Sequence, residues 1–113
     1  MRITLLILPL FLLFFNDEVK GHGALDEQIK ELTTRIKQEP KNAKLFLKRG
    51  QLYAQHEEFF PARQDYLAAR SLDQNLRITD LLLAELYLQN KLVDTALFYV
   101  NTFLTQNPSI QMH

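Results

Sequence analysis

Apolar residues recur at helical spacing along most of this chain. Near the N-terminal end of the regular pattern they are separated by four, three and four residues: Leu25, Ile29, Leu32 and Ile36. This spacing predicts an amphipathic helix with a single narrow apolar stripe. The helix is expected to cover 25–38, because Pro40 cannot extend a helix and restricts the residue before it.

The same period predicts four further helices, at about 43–55, 59–72, 77–89 and 92–106. Pro61 falls in the first turn of its helix, where a missing N–H is tolerated, and Asn107-Pro108 ends the last one. No stretch alternates polar and apolar residues, so the sequence predicts an all-α fold without strands. Short loops favour antiparallel neighbours. Gly50 lies inside a helix at a cost of ~1 kcal/mol relative to alanine, so we expect a neighbouring helix backbone to approach it closely.

A register of 34 residues runs through this helical pattern. It relates Pro40, Gln74 and Pro108, and it also pairs Tyr53 with Tyr87, Gly50 with Ala84, and Ala62 with Ala96. A 34-residue period is typical of stacked helical hairpins.

The residues in this register resemble the tetratricopeptide repeat (TPR) family. One repeat is matched by Phe46, Gly50, Tyr53, Ala62, Tyr66 and Ala69, and the next by Leu83, Ala84, Tyr87, Ala96 and Pro108. The chain departs from the pattern at Arg49, Gln74, Asp80, Val100 and Phe103. The resemblance covers about 25–108 and implies an α-solenoid of stacked antiparallel hairpins with about two and a half repeats, as in small exported bacterial proteins of this type. The first helix would form its N-terminal cap.

The resemblance also implies a concave groove, lined by the first helix of each repeat. Its residues would be Lys44, Leu47, Lys48, Gln51, Ala54 and Gln55 from one repeat, and Ile78, Leu81, Glu85, Leu88 and Gln89 from the next. A partner peptide or helix could bury the apolar members of the second set. Alternatively, these members pack against the first helix or the C-terminal tail. Some members of the family hold a C-terminal carboxylate with lysine and asparagine residues in the groove. Leu47 and Gln51 stand in place of those residue types here, so carboxylate binding is not expected.

The last predicted helix carries an apolar arc of roughly 160°, wider than the ~100° stripe of an ordinary surface helix. Val93, Leu97 and Leu104 lie together at one edge of this arc. We expect this edge either to be capped by Ile110 and Met112 or to contact a second copy or a partner. Alternatively, the arc is wide because the helix packs against two neighbouring helices.

The N-terminus has the pattern of an export signal. Arg2 precedes an apolar run over 3–15, which is shorter than the ~20 residues of a membrane span and typical of a signal peptide. Residues 1–21 are therefore predicted to be a signal peptide or membrane anchor, and 22–113 the helical domain. Gly21 and Gly23 offer cleavage sites. The predicted location is the periplasm or the outer face of the inner membrane.

Charge and motifs exclude several classes of function. Among 113 residues, 13 Lys and Arg balance 13 Asp and Glu, which argues against nucleic-acid binding. Membrane contact is expected only through 3–15, if that segment is retained. The chain has no cysteine and no phosphate loop, serine elbow or HExxH motif, so neither an enzyme nor a cofactor is predicted. His56 is expected to be a solvated loop residue.

The leading hypothesis is a non-catalytic scaffold or adaptor that binds another protein or peptide through the groove, the last helix, or both. One alternative is a metal-handling accessory protein. Cleavage after Gly21 would make His22 the N-terminal residue, whose amine and imidazole could chelate copper. A further alternative is a structural subunit that self-associates through its last helix.

Overall fold

A computed structural model describes residues 23–106, and this part of the chain contains five helices and no strand. The helices are α1 over 23–38, α2 Ala43–Gln55, α3 Phe59–Leu72, α4 Ile78–Gln89 and α5 Val93–Gln106. The all-α prediction is confirmed for these residues, with α1 reaching residue 23 and α4 and α5 beginning one residue later than expected. The predicted signal segment and Pro108 lie outside the described residues. None of the helices described is long and apolar enough to cross a membrane.

Two hairpins close with the same turn. Glu57, after α2, has a φ of 59°, and Lys91, after α4, has a φ of 63°. In the first turn the backbone N–H of Glu58 donates to the carbonyl of Tyr53, and in the second the N–H of Leu92 donates to the carbonyl of Tyr87, each at 2.9 Å. This pairing satisfies carbonyls that a helix end leaves without partners. The corresponding residues of the two turns are 34 positions apart.

The helices pack in chain order, α2 on α3, α3 on α4 and α4 on α5. The main core joins the last four helices, and its buried members are Ala62, Tyr66, Leu83, Ala84, Leu86, Tyr87, Ala96 and Tyr99. α1 packs on α2 through a smaller cluster of Leu32, Ile36 and Leu45. Its apolar stripe faces inward as predicted, and its charged residues lie on the exposed side.

Small residues allow the helices to approach each other closely, and aromatic rings fill the space between them. The ring of Tyr87 stacks on that of Tyr99 at 5.6 Å between centroids and meets the edge of Phe59 at the same distance. Tyr53 is half-buried and packs against the same core as Tyr87. Burial, together with the nearby carboxylates of Glu85 and Asp65, raises the pKa of Tyr66 to about 12. Leu72, the last residue of α3, is 41% exposed.

Gly50 makes room for an aromatic ring and not for a helix backbone. A Cβ atom added at this position would lie 2.7 Å from both Cδ1 and Cε1 of Tyr66, and 3.1 Å from the Cβ of Asp65. The expectation of a close backbone approach was therefore wrong in its detail. The ring of Tyr66 is itself buried and cannot move aside freely.

Replacing Gly50 by alanine is expected to destabilise the protein by up to about 2 kcal/mol. Alanine gains ~1 kcal/mol of helix propensity, but forcing a methyl group against a buried ring typically costs about 1–3 kcal/mol. Urea denaturation followed by circular dichroism measures the change. In a Tyr66→Leu background the penalty is expected to shrink, because the clashing ring atoms are gone. A stabilising Gly50→Ala substitution in the wild-type background would contradict this account.

Two ion pairs occupy positions inside the helical stack. Arg49 on α2 donates from Nε and Nη2 to the two carboxylate oxygens of Asp65 on α3, at 2.8 and 2.7 Å. Its Nη1 donates to Thr33 on α1 at 3.2 Å, so this residue connects three helices. These hydrogen bonds to Asp65 raise the pKa of the Arg49 guanidinium, against the opposing effect of burial.

The second ion pair joins the two hairpins. Arg70 Nε on α3 lies 2.9 Å from Oδ1 of the buried Asp80 on α4, without the alignment of a hydrogen bond. The guanidinium of Arg70 also lies 5.7 Å from the centre of the Tyr99 ring on α5. Arg49 and Asp80, two residues that differ from the TPR sequence pattern, therefore each lie beside a residue of opposite charge.

Candidate functional site

Equivalent faces of α2 and α4 lie beside each other. Five predicted groove residues line one cavity of ≈170 Å³ between the two helices: Gln51, Ala54 and Gln55 from α2, and Glu85 and Gln89 from α4. Tyr66 and Leu82 complete its walls. We call it the inter-hairpin cavity. The 34-residue register thus brings matching residues of both hairpins to one place.

Two larger cavities adjoin the inter-hairpin cavity through Gln55. One of ≈360 Å³ lies between α1 and α2, where Lys48 and Gln51 face Gln28 and Glu31. The other, of ≈730 Å³, lies where α2 and α4 end; we call it the terminal cavity. It is lined by Ala54, Gln55, Glu57, Glu58, Phe59, Leu86, Gln89 and Asn90. The three cavities and the exposed face of α4 are together called the groove.

The other predicted groove residues differ in how far they are exposed and in whether they line the groove. Lys44 lies away from the three cavities, at the start of α2, where it lines a separate cavity with Lys41 and Asp73. Leu47 is half-buried against the main core, so it serves packing at least in part. Leu81 is also half-buried.

The face of α4 keeps an apolar surface. Ile78 is 48% exposed and Leu88 58% exposed, so neither α1 nor another described helix covers them. The alternative prediction, burial of these residues by the first helix, is wrong. Whether the C-terminal tail covers them concerns residues outside the described range. In the equivalent positions of α2, Lys44 and Ala54 replace Ile78 and Leu88, which makes α4 the more apolar side of the groove.

Acidic residues dominate the charges of the groove. Glu31, Glu57, Glu58 and Glu85 line its three cavities, whereas Lys48 is the one basic residue among the described residues that line them. Around them stand several side-chain amides, which both donate and accept hydrogen bonds. This surface therefore offers carboxylates, amides and apolar walls within a small area, and no nucleophile paired with a base.

The last helix presents a second apolar surface. Val93 and Leu97 are each about half exposed, while Leu104 at the same edge is half-buried. Ile110 and Met112, predicted as a possible cap, lie outside the described residues. Phe98 is exposed on another side of α5, where its ring meets the edge of Tyr99 at 5.2 Å.

His56 is not the solvated loop residue that the sequence suggested. Its side chain is 12% exposed, and Nδ1 lies 3.7 Å from Asp26 Oδ1 and 3.9 Å from Glu58 Oε2. It therefore links the start of α1 to the turn after α2. His22 lies outside the described residues. Within 23–106, no group of three or more His, Asp or Glu side chains is arranged to hold a metal ion.

Sequence reasoning missed the terminal cavity and its residues Glu57, Glu58, Phe59 and Asn90. The turn after α2 places both Glu57 and Glu58 at this cavity. The signal that could have found them is their place in the register, since turns that follow equivalent helices border the same groove.

No family model matches the chain, and no curated protein sequence matches it. The resemblance to tetratricopeptide repeats therefore rests on the sequence register alone.

Proposed function

We propose that this chain is a small TPR-like α-solenoid of about two and a half repeats, which acts as a non-catalytic adaptor and holds a segment of another protein in its groove. The observation that carries this proposal is the inter-hairpin cavity. Its walls include Gln51 with its register equivalent Glu85, and Gln55 with its equivalent Gln89. Stacked repeats create a shared concave surface of this kind, and repeat proteins use such surfaces for binding.

The closing turns support a true repeat. Glu57 and Lys91 both adopt the left-handed conformation, and the hydrogen bond from Glu58 to Tyr53 has its equivalent in the one from Leu92 to Tyr87. Neither residue is glycine or asparagine, so the likeness of the turns does not simply reflect a common turn-forming residue. Two hairpins of equal design, stacked through α3 and α4, are what the solenoid requires.

The chemistry of the groove suits an extended polypeptide. Side-chain amides at Gln51, Gln55 and Gln89 can pair with the N–H and carbonyl groups of a peptide backbone. The exposed Ile78 and Leu88 can bury apolar side chains of the same segment, each fully covered side chain contributing about 1.5–3 kcal/mol. With a predicted export signal at 1–21, the proposed partner lies in the cell envelope.

Site-specific photo-crosslinking in the native host tests the adaptor function. A benzophenone amino acid at position 88 faces the groove, whereas the same group at the exposed Gln64 on α3 serves as a matched control outside it. We expect one defined protein adduct from position 88 and none from position 64. Adducts that are equal at both positions, or absent at position 88, would argue against groove binding.

A second candidate function, assembly through α5, is favoured by the half-exposed Val93 and Leu97. Two double variants separate the two functions, because both place glutamates at sites of similar exposure. For this comparison the benzophenone group is placed at position 85, which lines the inter-hairpin cavity and is exposed. Ile78→Glu/Leu88→Glu is expected to abolish the adduct from position 85 while leaving the protein's mass in solution unchanged, and Val93→Glu/Leu97→Glu is expected to spare that adduct. Light scattering after size exclusion reports the mass, and the opposite pattern would favour assembly through α5.

A further inference from the structure

We propose that the partner segment carries a lysine or arginine, and that this side chain enters the terminal cavity. The inference rests on the proposed adaptor function and specifies the chemistry of the segment that the groove selects. It follows from the charges, the helix ends and the apolar walls that meet at this cavity.

The carboxylates of Glu57 and Glu58 supply the negative charge. Both residues are exposed and both line the cavity, whose volume is ≈730 Å³. None of its lining residues in the described part of the chain is basic. Glu85 lies in the adjoining inter-hairpin cavity and adds a third carboxylate to the same side of the groove. An acidic segment would meet repulsion here, whereas a basic one would be attracted.

The ends of two helices reinforce this preference. The terminal cavity includes the last residue of α2, Gln55, and the last residue of α4, Gln89. The C-terminal end of a helix carries partial negative charge, which cations stabilise. Neither helix has a basic residue in its last turn. Lys91 follows α4 but does not line the cavity.

The apolar walls of the terminal cavity favour the binding of a long basic side chain over that of a small cation. Ala54, Phe59 and Leu86 line the cavity beside the two carboxylates. Lysine and arginine place their aliphatic stems on apolar surfaces while the charged group remains among polar partners. Amide oxygens of Gln89 and Asn90 can accept hydrogen bonds from that group. A cavity with both kinds of wall fits such a side chain.

Three matched peptides test the inference by NMR titration of the full-length, ¹⁵N-labelled protein in an uncharged detergent. Each is ten residues long with blocked termini, a central leucine and a Gly/Ser background, and two positions carry lysine, norleucine or glutamate. We expect the lysine peptide to shift the amide signals of Gln55, Glu57, Glu58 and Asn90. It should bind about tenfold more tightly than the norleucine peptide, with the glutamate peptide weakest. Added salt should reduce this advantage.

Charge-neutral variants locate the effect. Glu57→Gln/Glu58→Gln should lower the affinity for the lysine peptide to that for the norleucine peptide. The control, Glu27→Gln/Glu39→Gln, removes two exposed carboxylates that do not line the three groove cavities and should retain the preference.

Equal binding of the three peptides in the groove would overturn the basic preference and leave the adaptor function standing. Lysine-peptide shifts outside the terminal cavity, or no shifts with any peptide, would also overturn it. The adaptor function is then decided separately by the adduct from position 88.

Discussion

Replacing Asp65 by alanine is expected to lower the free energy of unfolding by about 3 kcal/mol or more. The carboxylate is nearly buried and accepts two hydrogen bonds from Arg49, whose guanidinium is also mostly shielded from water. Without Asp65, that guanidinium would lie between α1, α2 and α3, and Thr33 would be its remaining hydrogen-bond partner among residues 23–106. An uncompensated charge of this kind is among the largest single sources of destabilisation.

A charge-free double variant provides the control for this prediction. Arg49→Met/Asp65→Leu removes both charges and keeps similar volumes, so it is expected to be close to the wild type in stability. Urea denaturation of all three proteins, followed by circular dichroism, gives the comparison. If Asp65→Ala alone changes stability by less than 1 kcal/mol, the ion pair does not organise the packing of these helices.

Replacing Leu83 by alanine is expected to cost about 2–5 kcal/mol. Leu83 has no exposed surface and lies in the main core with Tyr66, Tyr87 and Tyr99. The aromatic rings around it are held by stacking and edge contacts, so they cannot collapse freely into the space that the truncated side chain leaves. The lost contacts and the cavity therefore both contribute to the loss.

Leu88 offers the matched control on the same helix, since it is the same residue type but 58% exposed. Leu88→Ala is expected to change stability by less than about 1 kcal/mol. Thermal and urea denaturation of the two variants distinguish them. Similar losses at the two positions would mean that α4 does not face the core as described.

The helices could be predicted because their signals are local. The apolar period predicted the observed bounds of α2 and α3, and α1 ends before Pro40 as expected. The start of α4 differed by one residue because Arg77 forms the cap, without a side-chain hydrogen bond that would mark it in the sequence. Helix ends depend on such details and on the turn that follows.

The contacts between helices could be predicted only in part. The register indicated that Gln51, Gln55, Glu85 and Gln89 share a surface, and they line one cavity. The partner of Arg49 could not be identified, because several acidic residues in the sequence were equally available to it. His56 was misjudged for a similar reason. Its neighbour Asp26 is 30 positions away, and only the packing of α1 brings it near.

The order in which the helices pack has a consequence for how the protein forms. Every main contact among α2 to α5 joins elements that are consecutive in the chain. Folds whose contacts span short stretches of sequence lose little entropy on closing each loop, and they reach the native state in microseconds to milliseconds. We therefore expect the hairpin of α2 and α3 and the hairpin of α4 and α5 to close first, and then to stack on each other through α3 and α4.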